Sequence, residues 1–214
     1  MKTAFIIRFH YSDEDPRFKW RLNYFTKETL PRILKQTDQD FDICIRCNPW
    51  HDEIFKALSP RIKTFKVRNE EARHFLGRNN KQYFEDHAQW EDVIGLEKYD
   101  LQMGLDSDDL IDENYVKIIK DQVEKLKEHY NSIHISFQPQ IYNLKTGKKK
   151  GMMLYTPMRG SAFMALYQGD KTNYKFIYCM SHISLYKCAK KSVTIPVGHC
   201  WATVHDVNES TGKR

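Results

Sequence analysis

The stretch YDLQMGLDSDDLIDENYVKIIKDQVEKL, residues 99–126, joins a predicted strand to a predicted helix through an acidic run. Tyr99 to Leu105 suits a buried strand, and Asp106-Ser107-Asp108-Asp109 follows it directly. From Glu113 to Glu128, apolar residues recur at helical spacing, which predicts an amphipathic helix. In open α/β sheets, ligands bind at the carboxyl ends of the strands. The stretch therefore predicts an α/β fold with a binding site at the acidic run.

Strands and helices alternate on both sides of this stretch. Proline lacks the N–H that a helix interior needs, so Pro31 is expected to divide the first predicted helix in two. A hairpin is expected over Ile141–Leu154. The alternation, without a linker or repeat, predicts one α/β domain, a sandwich on a mixed, mainly parallel central sheet. The predicted strands are Ala4–Ile7, Asp40–Cys47, Ile62–Val67 and Ile133–Phe137, and the predicted helices are Phe18–Gln36, Asp52–Leu58 and Gln82–Leu96.

The bulk composition is that of a folded domain. The chain has 214 residues, of which 41% are hydrophobic and 13% aromatic, and its net charge is +6. The aromatic content argues against a disordered chain, and the positive balance suits a protein that binds phosphates. No apolar run approaches the length of a membrane span or a signal-peptide core. With an odd number of cysteines, five, this predicts a cytoplasmic protein with reduced thiols and no transmembrane segment.

The acidic run has the composition of a site for a hard divalent cation. Asp106 and Asp108, one residue apart, can bind Mg²⁺ or Mn²⁺ while phosphate oxygens fill the other positions. Acidic residues before a helix also offset its dipole, which is the alternative without a ligand. An EF-hand is excluded, because its glycine position would hold Ile111 and its closing glutamate position Lys117. A glycine-rich phosphate loop is absent after the first strand.

The segment LDSDDLIDENYV, residues 105–116, resembles the Asp-x-Asp region of glycosyltransferases with the GT-A fold. More narrowly, the chain resembles a rhamnosyltransferase family of bacteria and their phages. That similarity lies in FIIRF (5–9), TLPRILKQT (29–37), DFDICI (40–45) and WATVHDVNES (201–210). The resemblance implies a GT-A-like, Rossmann-like sandwich. It also implies transfer of a sugar from a nucleoside-diphosphate donor to a hydroxyl, most simply on a glycan, with Mn²⁺ or Mg²⁺ as cofactor.

The resemblance also implies a division of the chain and a set of site residues. Residues 1–110 would bind the donor, and residues 111–214, with the C-terminal tail, would bind the acceptor. Because the acidic run ends a strand, Asp108→Ala is expected to abolish transfer and leave the fold intact. The implied donor contacts are Arg8, Arg68, Asp106, Ser107 and Asp108, and the implied metal ligands are Asp106, Asp108 and His205.

The catalytic base is predicted separately. An enzyme that inverts the configuration of the sugar needs a carboxylate to deprotonate the acceptor hydroxyl. Asp170, in a late Gly-Asp turn, is the predicted base, and Glu91 and Asp206 are the alternatives.

Two other functions fit the same residues. The acceptor could be a hydroxymethylated base in DNA, as for some phage enzymes, since the chain is basic and carries a lysine cluster at 145–150. A non-catalytic carbohydrate- or nucleic-acid-binding module is the alternative of another class, and the intact acidic run argues against it. Cys44 and Cys47 have CxxC spacing, but on a strand they point to opposite faces, so no zinc site is expected.

Overall fold

The computed structural model describes residues 1–9, 16–66, 96, 98–144, 148–152, 163–171, 177, 185–196 and 198–204. No helix within these ranges has the length and apolarity that a bilayer crossing requires. The helices are α1 Pro16–Tyr24, α2 Leu30–Leu34, α3 Asp52–Leu58 and α4 Tyr115–Leu126. The strands are β1 Thr3–Phe9, β2 Asp42–Cys47, β3 Ile62–Lys66, β4 Leu101–Leu105, β5 Leu110–Ile111, β6 Ser132–Phe137, β7 Gln140–Asn143, β8 Lys148–Met152, β9 Met164–Gln168, β10 Lys191–Ile195 and β11 Cys200–Val204.

Seven strands form the central sheet, in the order β10-β6-β9-β4-β1-β2-β3. The neighbours from β4 to β3 are all parallel, and β10 is parallel to β6. Only β9, among these seven strands of the described chain, is antiparallel to its neighbours. The predicted mixed, mainly parallel sheet is confirmed, with the antiparallel strand inside the sheet.

The central strand β1 is buried on both faces, as its apolar run predicts. Phe5, Ile7 and Phe9 belong to one core cluster, and Ala4 and Ile6 belong to a second cluster. Alternate residues of a strand point to opposite faces, so the sheet separates the two clusters. A parallel sheet covered on both faces requires such a continuous apolar strand.

The chain changes its direction of travel across the sheet between β1 and β4. It moves from β1 to β2 and β3 on one side, and later places β4 on the other side of β1. Such a topological switch point leaves a crevice at the carboxyl ends of the two strands. The acidic run follows β4 and therefore lies at this crevice.

A second sheet has the order β5-β11-β7-β8. The predicted hairpin is confirmed by the antiparallel pairing of β7 with β8. β11 is parallel to β7 and antiparallel to β5, and Trp201 Nε1 donates to Gln140 Oε1 at 2.9 Å. Since β5 begins directly after the acidic run, this sheet brings residues 200–204 beside it.

The helix expected at 18–36 is divided before Pro31 rather than at it. α1 passes into a π-helical turn, Phe25–Thr29, and then into α2. The Leu30 N–H donates to Phe25 O, five residues earlier. Pro31 lies in the first turn of α2, where its missing N–H and its ring are tolerated. The predicted break is therefore a widened turn whose residues face the acidic run.

Candidate active site

The carboxyl ends of β1 and β4 bring Arg8 and Asp106 together. Ile7 pairs with Leu105 across the two strands, and Arg8 and Asp106 are the next residue on each. The Arg8 guanidinium donates to Asp106 Oδ1 at 3.1 Å. The two side chains are 27% and 33% exposed. Two residues predicted to contact the donor therefore lie in contact at the switch point.

Asp106 begins a tight turn, and the acidic residues that follow it are buried. The Asp109 N–H donates to Asp106 O at 3.2 Å, which closes the turn. Ser107, Asp108 and Asp109 are buried, whereas Asp106 is partly exposed. Asp106 is therefore the carboxylate of the turn most open to solvent.

A buried ion pair holds Asp108. Arg21 Nη1 donates to Asp108 Oδ1 at 2.7 Å and to Ser107 Oγ at 3.2 Å. The side chains of Arg21 and Asp108 are 8% and 5% exposed. A carboxylate so far removed from water is strongly destabilising without a partner. The pair therefore fixes the acidic turn and places the Ser107 hydroxyl in the interior. This geometry does not support the predicted contact between that hydroxyl and the sugar donor, which stays a prediction.

The sequence analysis did not identify Arg21, although a signal was present. Phe18, Leu22 and Phe25 contribute to the core, and they define the inner face of this helical segment. Arg21 lies three residues after Phe18 and four before Phe25, on the same face. A cation at that spacing needs a buried anionic partner. The acidic run was the available partner, but the pairing joins residues 87 positions apart.

Asp109 connects the acidic turn to β11. Its Oδ1 accepts a hydrogen bond from the Thr203 N–H at 3.1 Å, and Thr203 Oγ1 donates to Asp108 O. Burial raises the pKa of Asp109 well above its usual value, and the charges of Asp108 and Asp106 raise it further. This environment favours the neutral carboxyl. The Asp109 side chain therefore links the acidic turn to β11 through a hydrogen bond.

The π-helical turn supports the same segment. Thr29 Oγ1 lies 3.2 Å from Ser107 O and 3.1 Å from Asp109 O, so its single hydroxyl hydrogen is shared between two carbonyls. π-helical turns occur frequently at functional sites. The acidic turn is thus held by α1, by the π-helical turn and by β11.

The oxygen atoms of the turn fit a hard divalent cation that has few protein ligands. In the described part of the chain, no group of three or more His, Cys, Asp or Glu side chains is arranged to hold a metal ion. Mg²⁺ and Mn²⁺ accept one or two carboxylates when water and substrate phosphates complete the shell. Asp106 offers a partly exposed carboxylate, and Asp108 lies behind it. These carboxylate oxygens therefore suit a metal ion that binds together with a diphosphate.

Four predicted site residues, Arg68, Glu91, His205 and Asp206, lie outside the described residues. The structure nevertheless shows the position of the residues just before His205, up to residue 204. Thr203, two residues earlier, contacts both Asp108 and Asp109. β11 therefore leads the chain to His205 from a position beside the acidic turn.

Asp170 lies at the opposite edge of the sheet. β9 is antiparallel to β4, with Leu101 opposite Tyr167, and the Gln168 N–H donates to Asp100 O. Asp170 thus follows β9 beside the start of β4, whereas Asp106 follows the end of β4. The six residue-to-residue steps from Asp100 to Asp106 span about 20 Å in a strand. This placement contradicts the prediction that Asp170 is the catalytic base, because the direction of β9 carries it away from the crevice.

His199 and the two cysteines with CxxC spacing have structural roles. His199 Nδ1 lies 2.6 Å from Asp112 Oδ2, which joins the start of β11 to the end of β5. Cys44 and Cys47 are buried and form no disulfide, and they belong to different core clusters. The expectation that these cysteines face opposite sides of the sheet is confirmed, and a shared zinc site is excluded.

Comparison with solved structures shows the same fold. A crystal structure of S. aureus TarS matches with a TM-score of 0.51 and 15% identity, over 95% of this chain and 37% of that one. TarS 1–349 in complex with UDP matches with a TM-score of 0.51 and 15% identity, over 95% of this chain and 61% of that one. The complex of TarS 1–349 with UDP-GlcNAc gives 0.51 and 15%, over 98% and 60%. This chain therefore spans between 37% and 61% of those proteins, and the likeness shows a GT-A-like fold.

No curated protein matches the chain significantly. A family model described as "Putative rhamnosyl transferase" matches residues 4–214. The match includes Arg8, Arg21, the acidic turn and β11, so it covers every element of the site described above. The chain belongs to this rhamnosyl transferase family.

Proposed function

We propose that this protein transfers a sugar from a nucleoside-diphosphate donor to an acceptor hydroxyl, with Mn²⁺ or Mg²⁺ bound at the acidic turn. The observation that carries the proposal is the contact between Arg8 and Asp106 at the ends of β1 and β4. It sets a cation and a partly exposed carboxylate side by side in the crevice where α/β sheets bind nucleotides. Membership of a sugar transferase family supports the same class of reaction.

Arg8 is assigned to the diphosphate of the donor. A guanidinium presents parallel N–H donors that match phosphate oxygens. Without a donor, Arg8 and Asp106 offset each other's charge across 3.1 Å. Asp106 and Asp108 would hold the cation, which supplies positive charge to neutralise the departing diphosphate. Arg21 keeps Asp108 oriented from behind.

His205 is proposed as a further ligand, supplied by the tail. The support is the contact of Thr203 with the acidic turn, two residues before His205. Imidazole is an acceptable partner for Mn²⁺ beside carboxylates. We further assign donor binding to residues 1–110 and acceptor binding to residues 111–214, and we propose that the acceptor is a glycan.

The donor can be identified by thermal unfolding with UDP-, GDP-, TDP- and CMP-sugars, each with and without Mn²⁺. UDP-sugars are tested first, since the structure of TarS was solved with UDP and with UDP-GlcNAc. A ligand at a hundredfold excess over its Kd stabilises the fold by about 2.7 kcal/mol, which raises the Tm of a chain of this size by about 5–10 °C. We expect this rise for one nucleotide and only with Mn²⁺.

Two variants locate that binding. Asp106→Asn should remove the Mn²⁺-dependent rise in Tm while the unliganded Tm changes little, because Asp106 is partly exposed. The matched control is Asp121→Asn, an exposed acid on α4 that pairs with Lys117. If no nucleotide sugar raises the Tm, or if both variants behave alike, the proposed site is wrong.

The acceptor is tested by transfer of labelled sugar. Oligosaccharides and duplex DNA with hydroxymethylated bases are offered in parallel, with the donor found above. Transfer to oligosaccharide supports the proposal, and transfer to DNA alone overturns its glycan part. Donor binding without hydrolysis or transfer to any acceptor would identify a non-catalytic binding module.

A further inference from the structure

A cavity of about 430 Å³ opens at the amino-terminal edge of the central sheet, where β1, β2 and β3 begin. β1 extends seven residues from Thr3 to Phe9, so this edge lies about 20 Å from the acidic turn. Two aromatic residues that line the cavity, Phe41 and Tyr99, are themselves buried. The basic residues that line it are Lys2, Arg61, Lys63 and Lys98.

Of the two carboxylates that line the cavity, one is paired within it and the other is exposed. Asp42 accepts hydrogen bonds from Lys63 Nζ and from the Tyr99 hydroxyl, each at 2.5 Å. The Asp40 carboxylate lies 3.6 Å from Lys120 Nζ, which is outside the cavity. Of the four cations that line the cavity, only Lys63 therefore has a carboxylate partner among the residues that the structure describes.

The two remaining lysines have other contacts. Lys98 Nζ lies 5.2 Å from the centre of the Tyr99 ring, and Lys2 makes its hydrogen bond to Asp100 through its backbone N–H rather than its ammonium group. Neither side chain forms an ion pair within the described ranges. Four cations and two carboxylates thus line the same space, which leaves a net positive charge and makes its potential positive.

Arg61 is held in place by neutral groups. Its Nη2 donates to Gln39 O at 3.0 Å and to Phe41 O at 2.9 Å, and its Nη1 donates to Gln39 Oε1. Its guanidinium carbon lies 4.5 Å from the centre of the Phe41 ring. A guanidinium has five N–H donors, so about two remain for a ligand. A cation that is already oriented loses little conformational entropy when an anion binds.

We propose that this cavity is a second ligand site that binds a phosphate or carboxylate group on a small molecule. Its volume lies within the range of small-molecule sites, about 300–1,000 Å³. Arg61, Lys2 and Lys98 supply the charge. The site is independent of sugar transfer at the opposite edge of the sheet.

Calorimetric titration with inorganic phosphate and with glucuronate, at low ionic strength, tests the proposal on the full chain. We expect saturable binding of at least one anion, which weakens as salt is added. Lys98→Glu and Lys2→Glu should each weaken the affinity about tenfold or more, as the loss of a charge-assisted contact does. Both side chains are exposed, so the fold should tolerate the change. The comparison of the two anions shows which group the site prefers.

Two controls separate this site from the donor site. Lys125→Glu changes an exposed cation on α4 that does not line the cavity, and it should leave the affinity within about twofold. Arg8→Ala removes the proposed diphosphate contact, and it should leave intact the component of anion binding that Lys98→Glu and Lys2→Glu weaken. The proposal is overturned if neither anion binds saturably, or if Arg8→Ala abolishes binding while Lys98→Glu and Lys2→Glu do not. Neither result would affect the nucleotide-sugar test, which depends on Asp106.

Discussion

Arg21→Met tests whether the buried ion pair holds the acidic turn. The substitution keeps an unbranched side chain in the space of the arginine but removes its charge and its hydrogen bonds to Asp108 and Ser107. Asp108, 5% exposed, is left in the interior without that partner. Loss of one partner of a buried pair costs about 3–5 kcal/mol. Solvent screening reduces this figure little, because both side chains are more than nine-tenths buried.

The assay is thermal or urea unfolding of the free protein. A loss of 3–5 kcal/mol corresponds to a fall in Tm of about 10 °C for a chain of this length. The matched control is Lys19→Met, which removes an exposed cation from the same helix and should change stability by less than about 0.5 kcal/mol.

The double variant Arg21→Met/Asp108→Asn separates pairing from packing. Removal of both charges leaves neither member of the pair as a buried ion, so the double variant should be more stable than Arg21→Met alone by about 2 kcal/mol. If Arg21→Met costs no more than Lys19→Met, the pair is not structural. If the double variant loses the sum of the two single losses, the loss comes from packing rather than from an unpaired charge.

Three further outcomes are expected. Asp108→Ala should lower the Tm substantially, contrary to the sequence-based expectation of an intact fold, because it removes the carboxylate that pairs with the buried Arg21. Asp106→Asn should not lower it, and unfolding of the two variants side by side decides this. Thr203→Val should destabilise by about 1 kcal/mol in the same assay, since it removes the hydroxyl that donates to Asp108 O; no loss of Tm would mean that this bond contributes nothing. Burial lowers the pKa of His134 from 6.5 to about 4, so the unfolded chain takes up a proton at a higher pH than the folded protein does. The free energy of unfolding should therefore fall by about 3 kcal/mol in total as the pH falls from 6.5 to 4. Urea titrations of His134→Asn should lack that part of the pH dependence.

Local pattern was sufficient for β1 to β4, for β6 and for one contact of the site. The apolar run Ala4–Ile7 predicted a buried strand because a strand covered on both faces has few other compositions. Arg8 and Asp106 could be placed at one edge because each directly follows such a run, and the carboxyl ends of parallel strands meet. In the structure, Arg8 Nη2 lies 3.1 Å from Asp106 Oδ1.

The supports of the acidic turn could not be predicted in the same way. Thr29 and Thr203 reach it across 80 and 94 residues, and short polar residues of this kind carry no sign of a distant partner. Asp170 was misplaced because a short apolar run such as β9 has the same pattern in either direction. The antiparallel direction of β9 depends on pairing with both β4 and β6, which is a property of the assembled sheet.

The bond from Thr203 to Asp109 also sets an order of events during synthesis. The ribosome adds Thr203 94 residues after Asp109, which takes about 5–20 s at ordinary rates of translation. During that interval the nascent chain can pair β1, β2 and β3, but β11, which supplies the Thr203 N–H to Asp109, has not yet been made. The acidic turn therefore reaches its final form only when β11 has left the ribosome, and a nascent chain that stops before Thr203 lacks this support for the turn.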